Sequence, residues 1–135
     1  MWRPFFVILT SVFLLLGAGC QARRGGEQYP YPDVGSVGAF QEYRRWGITG
    51  GVTVVDQRTL RFNNFSFNGG ELKTEIRLQR ERNKVATLKD ITGQTYTDAA
   101  FDLTLPEGVG LDDFNLVTVF VPELGAPVSG AEFGD

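Results

Sequence analysis

The 135-residue chain predicts an all-β fold, an antiparallel β-sandwich or a barrel-like single domain. Three observations predict it. Several short runs alternate apolar and polar residues with a period of two. Turns bearing Gly, Pro and Asn separate these runs, and no stretch after the first twenty residues carries a long helical period. Composition agrees: 42% apolar and 21% charged residues supply a core and argue against wholesale disorder.

Residues 1–19 read as a secretory signal peptide. Arg3 supplies a positive start, residues 5–16 are apolar except for Thr10 and Ser11, and Gly17, Ala18 and Gly19 are small enough for a peptidase. The apolar run is short for a spanning helix, which needs about 20 residues. Cys20, the sole cysteine, follows at once. This layout resembles a bacterial lipoprotein signal, with Gly17 standing where that signal usually has Leu. Cys20 is therefore expected to carry the lipid anchor, and more than one acyl chain is what stable anchoring needs. The expected location is extracytoplasmic, anchored to the bacterial membrane on the periplasmic side or at the cell surface. Gln21, rather than Asp, leans toward an outer surface where the cell has two membranes.

Residues 20–33 are expected to be the lipidated Cys and a flexible tether, because QARRGGEQYPYPD is rich in Pro, Gly and polar residues and has no period. Arg23 and Arg24 are either solvated or resting on anionic headgroups. Tyr29 and Tyr31 dock on the domain or stay free. The β domain is expected over residues 34–135.

Within it, residues 41–46 suit one helical turn. The run GVTVV at 51–55 is rich in β-branched residues, and Leu60 and Phe62 alternate with Arg61 and Asn63. Leu72, Thr74, Ile76 and Leu78 alternate with Lys73, Glu75, Arg77 and Gln79, which predicts a half-buried strand despite helix-friendly residue types. Phe101, Leu103 and Leu105 alternate with Asp102 and Thr104. LVTVFV at 116–121 is apolar on both faces, which suits a central strand ended by Pro122. Residues 56–58 read as a connection between two strands. Asn68, Gly69 and Gly70 supply a turn that tolerates positive φ, and Pro106, Glu107, Gly108 and Gly110 end a further strand.

The chemistry open to the chain is narrow. It has no His, which excludes a Ser-His-Asp triad, a Cys-His dyad and a His-based zinc site. One Cys forms no internal disulfide. A net charge of −3 and a pI near 5.0 argue against nucleic acid. Asp112 and Asp113, near Asp98, Asp102 and Glu107, lack the alternating spacing of a calcium loop and read as solvated. The pairs Gly50-Gly51 and Gly69-Gly70 lack the Lys-Ser/Thr of a phosphate loop and read as turns or bulges. Arg77, Arg80, Arg82, Lys84 and Lys89 read as a charged strand end and loop. Asn64-Phe65-Ser66 matches the glycosylation triplet by chance. Trp46, flanked by Arg44 and Arg45, reads either as a core ring or as an interaction anchor, so these three residues form the candidate binding surface. The rings Phe40, Phe62, Phe65, Phe67, Phe101, Phe114, Phe120 and Phe133 suffice for a small β core without a cofactor.

Several segments together resemble one family. They are ITGGVTVVD at 48–56, RTLRFNNF at 58–65 with SFNGG at 66–70, LTLPEG at 103–108, DFNLVTVFV at 113–121 and GAEF at 130–133. Their order and spacing resemble the DM-thirteen domain, associated with electron transfer and found in bacterial surface proteins and beside DOMON domains in Skeletor-type animal proteins. The resemblance implies a β-rich fold and a redox role. It places a Cys where this chain has Val121, a Trp where it has Phe120, and a His where it has Trp46. No redox site is therefore carried over to this chain.

The sequence thus points to a lipid-anchored cell-envelope binding module with no catalytic residues, no metal site and no cofactor. Its expected partners are the membrane, through Cys20, and an envelope protein or glycan. An extracytoplasmic electron-transfer accessory is the alternative, and an enzyme working by carboxylates alone is a third reading.

Overall fold

A computed structural model describes residues 29–134. The signal, Cys20 and residues 21–28 lie outside the described residues. Eight strands form one sheet: β1 Val37–Phe40, β2 Thr49–Asp56, β3 Thr59–Asn68, β4 Glu75–Arg80, β5 Asn83–Asp90, β6 Thr95–Thr104, β7 Leu116–Val121 and β8 Ala126–Phe133. A 3-10 turn at Arg44–Trp46 is the one helical element among the described residues. Every pairing is antiparallel, in the order β5-β4-β7-β8-β1-β2-β3-β6.

The connections show that this sheet curls on itself. β5 and β6 are its two edges, yet only residues 91–94 join them. Laid flat, eight strands would put the edges about 34 Å apart. Four linking residues reach about 18 Å at most. The sheet therefore bends into an open, barrel-like half-cylinder, and its concave side holds the core. Ile76, Leu78, Val117 and Val119 from one half meet Phe40, Val52, Leu60, Phe62 and Phe65 from the other, all buried.

Local chemistry explains the bends. Between β2 and β3 the register shifts at Gly50, which has φ +120°, and Asn64 opposite has φ +52°. A Cβ on Gly50 would lie 2.7 Å from the Asn64 carbonyl oxygen, so the bulge requires glycine. Arg58 closes the loop after β6: its guanidinium donates to the carbonyls of Val109, Leu105 and Pro106 at 2.7, 2.8 and 2.9 Å. Pro127 sits in β8 beyond the stretch that β1 covers, where a missing N–H breaks no ladder bond on that side.

Several sequence expectations need correction. The alternating run at 72–79 is a strand only from Glu75, and it is not half-buried: Glu75 and Gln79 are 8% and 5% exposed on the face opposite Ile76 and Leu78. The turn at 68–70 is present as expected, with Gly70 at φ +73°, and it leads from β3 to β4, which lie far apart in the sheet order. The basic stretch beyond Arg80 is not a charged loop but largely β5, an edge strand with half-buried Val85 and Leu88. LVTVFV is central as expected, between β4 and β8.

Candidate binding surfaces

The 3-10 turn carries Arg44, Arg45 and Trp46 between β1 and β2, pinched by a bridge between Tyr43 and Ile48. Gly47 ends it in the left-handed region at φ +61°, and its N–H donates to the Arg44 carbonyl at 3.1 Å. Both arginines are exposed, and Trp46 is half-buried. Its ring meets Tyr43 edge-on at 5.9 Å and Phe67 at 6.3 Å, with centroids measured in each case. Gly69 makes room, because a Cβ there would lie 2.5 Å from the Phe67 ring and 3.4 Å from the Trp46 ring. One side of the Trp46 ring packs on the core and the rest stays accessible.

The turn and the arriving chain occupy opposite ends of the sheet. The carbonyl of Tyr29 accepts from the Asn115 amide at 3.3 Å, just before β7 starts. Phe40 is level with Ala131, and Ala131 with Val117, so three further residues carry the chain to the far end of β7 before the turn begins. Pro32 is buried, so part of the predicted tether packs on the domain. Val121 and Trp46 share that far end, with β8 and β1 between β7 and the turn that carries Trp46 into β2. Val121 is fully buried, and Phe120 points to the other face beneath the Arg77 guanidinium, 3.6 Å from its centroid.

A second surface was not legible in the sequence. The convex face of β4, β7 and β8 carries a trough of about 780 Å³. Its floor includes Gln79 and Thr118, 5% and 2% exposed. The Thr118 hydroxyl donates to Gln79 Oε1 at 3.0 Å, and Gln79 Nε2 donates to the Glu81 carbonyl at 3.1 Å. Phe120, Leu116 and Pro127 add apolar patches, and Glu81, Glu132 and Arg82 add charge. Beside the trough, Glu75 accepts from the Thr87 hydroxyl at 2.8 Å and from Arg77 at 3.2 Å. Burial works against ionisation of Glu75, but Thr87 and Arg77 outweigh it and hold the carboxyl below its usual range. The single hint of this layer was the occurrence of Glu75 and Gln79 in a strand that runs between two others.

Elsewhere the acids behave as solvated groups. Asp113 accepts from the Gly110 N–H at 2.8 Å and pairs with Arg80 at 3.8 Å, whereas Asp112 is exposed. No cluster of three His, Cys, Asp or Glu side chains suited to a metal occurs among the described residues.

Fold and surfaces together define a small, single-sheet, antiparallel β domain with two candidate binding surfaces, the Arg44–Trp46 turn and the convex trough. The family model described as electron transfer DM13 matches residues 39–133, most of the chain, and the protein belongs to that family. Its domain is thereby of an electron-transfer-related type. No curated protein and no solved structure matches it.

Proposed function

We propose that this protein is a lipid-anchored cell-envelope module that binds a partner through the Arg44–Trp46 turn and performs no catalysis of its own. The supporting observation is the placement of that turn at the end of the sheet opposite Tyr29, the first described residue of the expected tether. A domain held by lipid on Cys20 would then present Arg44, Arg45 and Trp46 away from the tether. Half-buried Trp beside exposed Arg is the composition of an interface anchor: the ring is already ordered, so binding it loses little side-chain entropy. Membrane attachment would raise the local concentration of the module near envelope partners. Val121 and Trp46, standing where the family has Cys and His, favour binding over thiol or imidazole redox chemistry.

Two measurements test the reading. Intact mass of the purified protein should equal the chain cleaved before Cys20 plus lipid; an uncleaved or lipid-free product overturns the anchor. Crosslinking in intact cells should capture a partner with the native protein and lose it with Trp46→Ala. Equal capture by the two proteins overturns the role of the turn.

A further inference from the structure

We propose that the trough over β4, β7 and β8 is a binding site for a short neutral oligosaccharide. The site is separate from the Arg44–Trp46 turn and does not depend on the function proposed for it.

The first argument is shape. A volume of about 780 Å³ falls in the range of small-ligand sites, on the order of 300–1,000 Å³. The trough lies on a sheet face rather than in a closed cavity, so its length is open to a chain of sugar rings from above.

The second argument is the floor. Outward side chains in the middle of a sheet are ordinarily either solvated or apolar. Gln79 and Thr118 are neither: both are polar and more than nine-tenths buried. Their mutual hydrogen bond and the bond from Gln79 to the Glu81 carbonyl fix the amide and hydroxyl in one orientation. Among the described residues that arrangement leaves one Gln79 amide hydrogen and the Thr118 oxygen lone pairs without a protein partner. Pre-oriented polar groups of both kinds match a sugar hydroxyl, which donates and accepts at once.

The third argument is the walls. Gln41 and Asn83 add amides, each a donor and an acceptor, and Pro127 with the part of Phe120 that Arg77 leaves uncovered offers apolar surface to the C–H face of a ring. Other ligand classes fit worse. A phosphate or nucleotide wants cationic donors or a helix N-terminus, whereas the lining has two carboxylates, Glu81 and Glu132, against one guanidinium, Arg82. An apolar ligand would strand the Gln79 and Thr118 groups without water, at about 1–3 kcal/mol each. An extended peptide adding a strand needs a free sheet edge; β4 and β7 are paired on both sides, and β8 is open on its β1 side only over residues 126–129, where Pro127 removes a ladder donor.

The test uses the full-length, detergent-solubilised protein. Maltotriose, cellotriose and the N-acetylglucosamine trimer are titrated by NMR, with inorganic phosphate as the charged control. At least one saccharide should give saturable shifts at the Gln79, Thr118 and Ser129 amides, with little response to phosphate. Gln41→Ala and Asn83→Ala, both at exposed positions and expected to leave the melting temperature unchanged, should each weaken binding by about fivefold to tenfold. Thr118→Val should do the same, and Trp46→Ala should leave saccharide affinity intact. No saturable shift in the trough with any of the three sugars up to about 10 mM overturns the proposal. So do phosphate shifts at the same amides, and so does saccharide affinity that is unchanged in all three trough variants.

Discussion

The two halves of the curled sheet are built from the same strand pairing, yet they solve burial differently. In the β2-β3-β6 half the concave face is aromatic. Phe62 stacks on Phe101 at 5.0 Å and 4°, and Phe65 meets Tyr96 and Phe101 edge-on at 5.3 and 5.9 Å. The convex face there holds Arg61 and Asp102, an exposed pair at 2.8 Å. In the β4-β7-β8 half the concave face is mainly aliphatic, with Ile76, Leu78, Val117 and Val119, and Phe133 adds one ring at the end of β8; several convex side chains, Glu75, Gln79 and Thr118, are themselves buried. Thr87, Glu75, Arg77 and Phe120 interlock across β5, β4 and β7 there, next to the trough. One half therefore has a wet outside and needs only alternation. The other has a second, polar layer whose groups satisfy one another, because a buried carboxylate without partners would not stay ionised.

The comparison breaks hardest in the aromatic half. Phe62→Ala should destabilise the domain by about 3–5 kcal/mol, because the ring is fully buried among three other rings and the sheet cannot collapse to fill the hole. Urea unfolding checks it, and a loss under about 1 kcal/mol would mean the aromatic stack is not the core of that half.

The polar layer comes next. Arg77→Met removes the guanidinium over Phe120 and leaves Glu75 with the Thr87 hydroxyl and the more distant Lys84 charge, a loss of about 3 kcal/mol at neutral pH. The sign with pH is definite. The Glu75 carboxyl is held below its unfolded value, so its contribution is complete above about pH 4.5 and is lost as pH falls through the folded value. The gap between native protein and variant should shrink on acidification. A gap independent of pH would assign the loss to packing rather than to charge.

Asn115→Ala is expected to be milder, about 2 kcal/mol. It is fully buried and serves the Glu81 N–H and carboxylate as well as the Tyr29 carbonyl. Limited proteolysis should find residues 29–33 cut faster in the variant, and an unchanged rate would show that other contacts hold the segment. The smallest effect belongs to the wet face. Asp102→Asn should leave the melting temperature unchanged within error, because its partnership with Arg61 is solvent-screened.

Legibility in the sequence follows the same division. In β2, β3 and the second half of β6, one face is buried and one wet, so period two is written directly in Val52, Val54, Leu60, Phe62, Phe101 and Leu103. The Gly50-Gly51 pair was likewise readable as a turn or bulge. β5 was not legible as a strand, because an edge strand of half-buried residues has no strong alternation. β8 was hidden by Pro127 and by the small residues Ala126, Ser129, Gly130 and Ala131. The Arg44–Trp46 turn was legible as a candidate surface. The trough was not, since it joins Gln41, Gln79 and Thr118 from strands and turns distant in sequence.

The sequence by itself determined the β class, the central strand LVTVFV, the absence of His and of any thiol beyond Cys20, and the residues that carry the family resemblance. These are properties of composition and of local period, which act between near neighbours along the chain. Only the tertiary structure decided that the eight strands form one curled sheet, that β3 and β4 part company after Gly70, and that Glu75 and Gln79 lie under a second layer. It also decided that Trp46 stands at the end away from Tyr29. The physical reason is closure: once the short links between distant strands force the sheet to bend, the partners of each outward side chain are set by strand order, and strand order is not a local property of the chain.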